Sequence, residues 1–72
     1  MVDRPDPLID KLVQRLHDSD PVVRRNAAGA LRLHGERAVD AISELNGLLA
    51  DENEKVRAEA ERALCRLRRA VA

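Results

Sequence analysis

The chain contains a degenerate copy of itself, and no other feature restricts its fold as much. Laying residues 8–39 over residues 41–72 at an offset of 33 makes nine of the 32 pairs identical. They are Ile9/Ile42, Leu12/Leu45, Leu16/Leu49, Asp18/Asp51, Val23/Val56, Arg24/Arg57, Ala27/Ala60, Ala30/Ala63 and Leu31/Leu64. Composition alone would give roughly three, and a period of this length is the mark of a stacked repeat architecture in which each unit buries its apolar face on the next. A chain of 72 residues has room for two such units. It is read as a single domain over 1–72, with repeat 1 at about 6–35 and repeat 2 at about 36–72.

Each copy reads as a helical hairpin. Asp6 can cap a helix that has Pro7 at its first position, and Leu8, Ile9, Leu12, Val13 and Leu16 recur on one face until an end near His17. Asp20-Pro21 repeats the start signal, Val23, Ala27, Ala30 and Leu31 give the next stripe, and Gly35 stops it. In the second copy Ala38, Val39, Ile42, Leu45 and Leu49 line a third helix, with Asn46-Gly47 as a tolerated interior. Asn53 caps a fourth helix lined by Val56, Ala60, Ala63, Leu64 and Leu67. No stretch alternates with period two, so no strand is expected. The fold class is all-α, a short α-solenoid of two stacked hairpins and four helices.

Composition narrows function by exclusion. There is no Phe, Tyr or Trp, so the usual platforms for stacking on bases, sugars or cofactor rings are missing. Thirteen basic and 13 acidic residues cancel, which implies no general attraction to nucleic acid or membrane. Eleven of the basic residues are Arg, the side chain suited to planar pairing with carboxylates. Cys65 is the single cysteine, so an intrachain disulfide is excluded, and two histidines with one cysteine cannot build a structural zinc site. The opening MVDRPDPLID has no basic start followed by an apolar stretch, and no run approaches the ~20 apolar residues that span a bilayer. A cytoplasmic address is the expectation.

The run GERAVDAISELNGLLADENEKVRAEAERAL, residues 35–64, resembles the HEAT-like repeat of the bilin-lyase type. That pattern has an AV-x-x-L opening, a Leu-Leu-x-Asp turn, then Val-Arg-x-x-Ala-Ala-x-Ala-Leu, and residues 8–35 resemble a second copy. Ile42 stands where the pattern has Leu, and Glu61 replaces the second Ala of the pair kept as Ala27-Ala28 in the first copy. The resemblance implies a stack of helical hairpins and leaves several functions open, because proteins with similar repeats include scaffolds, DNA glycosylases, deoxyhypusine hydroxylase and the bilin lyases themselves.

Individual residues then sort by pattern. Arg24 and Arg57 each follow an aspartate, Asp18 and Asp51, by six positions in both copies. They could hold a ligand, but a residue repeated with the repeat serves the repeat, so a structural Asp–Arg ladder between hairpins is the better reading. His17 and His34 fall at helix ends, where an imidazolium meets the helix dipole favourably, and neither has a second ligand at metal-binding helical spacing. Cys65 occupies the slot of Arg32 with no histidine near it in sequence, which favours an inert thiol over a nucleophile. The His-Glu dipeptides that ligate iron in the hydroxylase are absent, and Arg57-Ala58-Glu59 stands in the corresponding region. No nucleophile, base and orienting group can be assembled, so the chain is expected not to be an enzyme and to need no cofactor or metal.

Binding remains. The residues between the apolar stripes of the second helices are Arg25, Asn26, Gly29 and Arg32, then Glu59, Arg62, Arg66 and Arg69, and they are the candidate surface for a protein partner. The alternative is nucleic acid along Arg62, Arg66 and Arg69. Against it, residues 36–61 carry eight acidic and three basic groups beside the four positive charges of residues 62–72. Salt-bridged helix faces, Arg62 with Glu59 and Arg57 with Glu61, are the plainest account of the same charges. Three apolar positions of the first copy, Val13, Val22 and Ala28, become Asn46, Lys55 and Glu61 in the second, which would dress its far side as a polar terminal cap. The first hairpin has no such dressing. Two repeats are few for independent stability, so a homodimer is expected, with Leu8, Val13, Val22 and the Pro5–Pro7 segment as its contact.

Overall fold

The computed structural model describes residues 6–71, and its elements follow from the local signals in order. Asp6 accepts a hydrogen bond from the Leu8 amide at 3.0 Å and starts α1 (Pro7–Arg15), while Asp20 accepts from Val22 at 2.9 Å and starts α2 (Pro21–His34). In both, Pro stands at the first helical position, where its missing N–H costs nothing. Gly35 ends α2 at φ 57° and ψ −122°, a backbone shape that a Cβ would oppose. Further along, Asn53 accepts from both Lys55 and Val56 and starts α4 (Glu54–Ala70).

The third expected helix is where the structure departs from the sequence reading. Between α2 and α4 the chain runs as a 3-10 segment over Gly35–Ala41, a six-residue helix α3 (Ile42–Gly47), and a 3-10 turn over Leu48–Ala50. Three helices of nine residues or more therefore stand with one composite arm in place of four full helices. The cause is local. No capping side chain bonds the start of the 3-10 segment or of α3, whereas α1 has the Asp6-Pro7 start. Asn46-Gly47, expected as a helix interior, closes α3 instead, and tighter i→i+3 bonding carries the chain on to Asp51.

Packing makes one core from the two hairpins. Ile9, Leu12 and Leu16 from the α1 arm, Ala27, Ala28 and Leu31 from α2, Ala38, Ala41, Leu45 and Leu48 from the composite arm, and Val56, Ala60, Ala63, Leu64 and Leu67 from α4 are all buried. The most extensive helix pairing is α2 with α4. Both helices bring buried alanines to the core, and such small residues permit close approach. Every buried side-chain polar atom among the described residues has a hydrogen-bond partner. No helix among the described residues is long and apolar enough to cross a membrane.

Candidate functional site: two unfinished ends of a stack

Arg24 and Asp51 join the hairpins. The Arg24 guanidinium donates through Nε to Asp51 Oδ2 at 2.8 Å and through Nη2 to Oδ1 at 3.0 Å. Its Nη1 turns back to the Asp18 and Ser19 carbonyls of its own turn, at 2.7 and 3.1 Å. The two side chains are only 10% and 7% exposed, so this two-point bond is shielded from water. That hydrogen bond is the main reason the Asp51 carboxyl is held below the usual aspartate range and the Arg24 guanidinium above its own.

Two further pairs cross the same boundary with the same spacing. Arg32 Nε donates to Glu59 Oε2 at 2.8 Å, and His17 Nε2 lies 3.2 Å from Glu44 Oε1. Each pair is separated by 27 residues, like Arg24 and Asp51. This number is the 33-residue period less the six residues from Asp18 to Arg24. One rung of the expected Asp–Arg kind joins the hairpins, in a register that the six-residue spacing does not reveal: Arg24 of the first hairpin meets Asp51 of the second. Among the described residues no carboxylate lies within ion-pair distance of Arg57, including the expected Glu61. Asp18 likewise bonds only its own turn, accepting from the Asp20 amide at 2.8 Å.

Burial differs between the copies in the same directional way. Arg24 and Leu16 are buried and their counterparts Arg57 and Leu49 are exposed, Leu16 at 0% and Leu49 at 42%. Val56 and Ala63 are fully buried, while their counterparts Val23 and Ala30 are only partly so. Among the described residues, two faces of the stack are therefore left uncovered. The N-terminal face is a shallow hollow floored by Leu12, Val23, Ala27 and Ala30, with Arg15, Asp18 and Asn26 at its rim. Leu8 is 46% exposed, whereas its counterpart Ala41 is fully buried. The C-terminal face is a second hollow formed by Leu49, Glu61, Leu64, Cys65 and Arg68.

The candidate residues read from the sequence do not gather on one surface. Glu59 requires a correction: helical spacing assigns it to a partner-facing stripe, but it is buried and bonds Arg32 and, at 3.3 Å, Arg62. Gly29 makes that possible, because a Cβ there would stand 3.3 Å from Glu59 Oε2. Asn26 belongs to the N-terminal hollow, and Arg25 to a separate depression with Pro21, Val22, Asn53, Glu54 and Lys55. Arg66 runs alongside Gly35, and Arg69 is exposed. The expected self-association set also divides. Leu8 is free, Val13 packs on the core in a groove beside Asp6, Ile9 and Arg37, and Val22 lies in the depression with Arg25. Pro5 lies outside the described residues. Of the three cap positions, Ala28 is buried where Glu61 is exposed, as a cap requires, but Val22 and Lys55 are both exposed and line the same depression.

A family model described as HEAT repeats matches residues 9–72. No curated protein and no solved structure matches the chain.

Proposed function

Because the chain belongs to the HEAT-repeat family, we propose that it is a non-enzymatic protein–protein interaction module, a small cytoplasmic scaffold that uses an open end of its stack as the contact. Repeats of this family generally mediate protein–protein interaction. The observation that carries the reading is the N-terminal hollow. Its floor of Leu12, Val23, Ala27 and Ala30 repeats the Leu45, Val56, Ala60 and Ala63 that the second hairpin buries, and Val23 and Ala30 there keep apolar surface exposed. Contact with another protein removes that surface from water at roughly 25 cal/mol per Å² of apolar area. Self-association is the simplest use of such a face, with Leu8, 46% exposed at the start of α1, as the residue expected at the contact. Leu8→Glu should then abolish the concentration-dependent rise in scattering mass, while Leu33→Glu, at a site already 75% exposed on α2, leaves it unchanged. A wild-type mass that stays at 8.0 kDa at every concentration would remove self-association.

Nucleic-acid binding along the arginine stripe is less well supported. Of the stripe Arg62, Arg66 and Arg69, Arg62 is paired with Glu59 at 3.3 Å, which lowers the positive charge that the stripe would need.

A further inference from the structure

We propose that copies of this chain associate head to tail, the N-terminal face of one molecule seating on the C-terminal face of the next, with Arg57 donating to Asp18 of the second copy as Arg24 donates to Asp51. The inference rests on the self-association reading above and specifies its geometry.

Both halves of the missing rung are already built. Arg57 Nη1 donates to its own turn at the Asp51 carbonyl, 2.6 Å away, as Arg24 Nη1 does to the Asp18 carbonyl at 2.7 Å. That bond aims the rest of the Arg24 guanidinium at a carboxylate one hairpin on; for Arg57 the described residues supply none. At the other end, Asp18 Oδ1 accepts from the Asp20 amide at 2.8 Å, as Asp51 Oδ1 accepts from the Asn53 amide at 2.9 Å. Asp18 is therefore held in the turn geometry of Asp51, without the arginine. One further step of the stack carries Arg24 to Arg57 and Asp51 to Asp18 of another molecule. The same step brings Leu49, whose counterpart Leu16 is fully buried, against the face that holds Leu8 and Leu12.

The substitutions between the copies set the strength of this contact. Of the three pairs with the 27-residue spacing, only the Arg–Asp pair is reproduced, because Arg32 and Glu59 give way to Cys65 and Asn26, and His17 and Glu44 to Ala50 and Lys11. Glu61 also brings a charge to the place of buried Ala28. The association is thus weaker than the internal joint and depends on concentration. Its two surfaces differ, so it does not close as a two-fold dimer does and continues to higher species.

The test is sedimentation of the full chain from micromolar to millimolar concentration, with Asp18→Arg and Arg57→Asp studied alone and mixed. Each variant alone sets like charges at the joint and should lose about tenfold or more in association constant. In the equimolar mixture the unaltered Arg57 of one variant meets the unaltered Asp18 of the other, and at the following joint the two reversed side chains meet with opposite charge. The mixture should therefore recover the wild-type mass distribution. Glu61→Ala should strengthen association. Arg57→Gln, at an exposed site, serves if a charge-reversed variant does not fold as judged by circular dichroism, and it should weaken association too. A closed dimer unaffected by either charge reversal would overturn the head-to-tail geometry and leave self-association standing. A monomer at every concentration would overturn both.

Discussion

Arg24 reaches across the hairpin boundary and grips Asp51 at both carboxylate oxygens, at 2.8 and 3.0 Å, while its third nitrogen is bonded to its own turn. Removing the carboxylate strands a buried guanidinium, so Asp51→Ala should lower unfolding free energy by about 3 kcal/mol, the low end for breaking a buried pair. Arg24→Ala should be of the same rank. Arg57→Ala should shift the denaturant midpoint far less, because Arg57 is exposed and loses only a bond to the Asp51 carbonyl. Equal midpoints for Arg24→Ala and Arg57→Ala would show that the joint does not hold the hairpins together.

Acid should loosen the same joint. Hydrogen bonding from Arg24 lowers the Asp51 carboxyl, and hydrogen bonding from Arg37 lowers that of Asp6. For a group depressed on folding, the stabilisation is complete above the unfolded value of ~3.9 and is lost as pH falls through the folded value. Urea unfolding should therefore give constant stability from neutrality to about pH 5 and a decline below about pH 4. Asp51→Asn should start lower and decline less steeply. A slope unchanged in Asp51→Asn would assign the acid sensitivity elsewhere.

Two glycines should respond with opposite sign. Gly47 has helical angles, φ −62° and ψ −30°, and a Cβ there meets nothing within 4 Å, so Gly47→Ala should stabilise by ~0.5–1 kcal/mol. Gly35 is at φ 57°, and Gly35→Ala should destabilise by about 1 kcal/mol or more. Thermal melts of the two variants decide the matter.

Duplex DNA should be held no better than ~10⁻⁴ M at physiological salt, the weak end of non-specific binding. Within the stripe, Arg62 is paired with Glu59, and the chain has no aromatic side chain for stacking. A mobility shift at low micromolar protein in that buffer would promote the nucleic-acid reading.

Much of the architecture is legible in the sequence, because the signals are local. Asp6-Pro7, Asp20-Pro21, Asn53 and Gly35 act where they stand, and each bounds its helix as expected. The composite arm over Gly35–Ala50 is not legible in the same way, since periodic apolar residues mark a buried face without distinguishing α from 3-10 winding. The interaction surface is harder still. Arg24 and Arg57 look equivalent in sequence, and only the stacking direction makes one an internal rung and the other an open end. The shared 27-residue spacing of Arg24/Asp51, Arg32/Glu59 and His17/Glu44 is a signal that the sequence does carry, and it moves Glu59 from the surface to the joint.

If the ends of the stack are the interaction surface, a concentration series of amide spectra reads them out residue by residue. On going from dilute to concentrated protein, the amides of Leu8, Arg15, Val23, Asn26 and Ala30 should shift together, with Arg57, Glu61 and Cys65 moving at the opposite end, while Leu33 and Val22 stay in place. Shifts confined to Arg25, Arg62, Arg66 and Arg69, or no shift at any concentration, would show that the two ends do not meet.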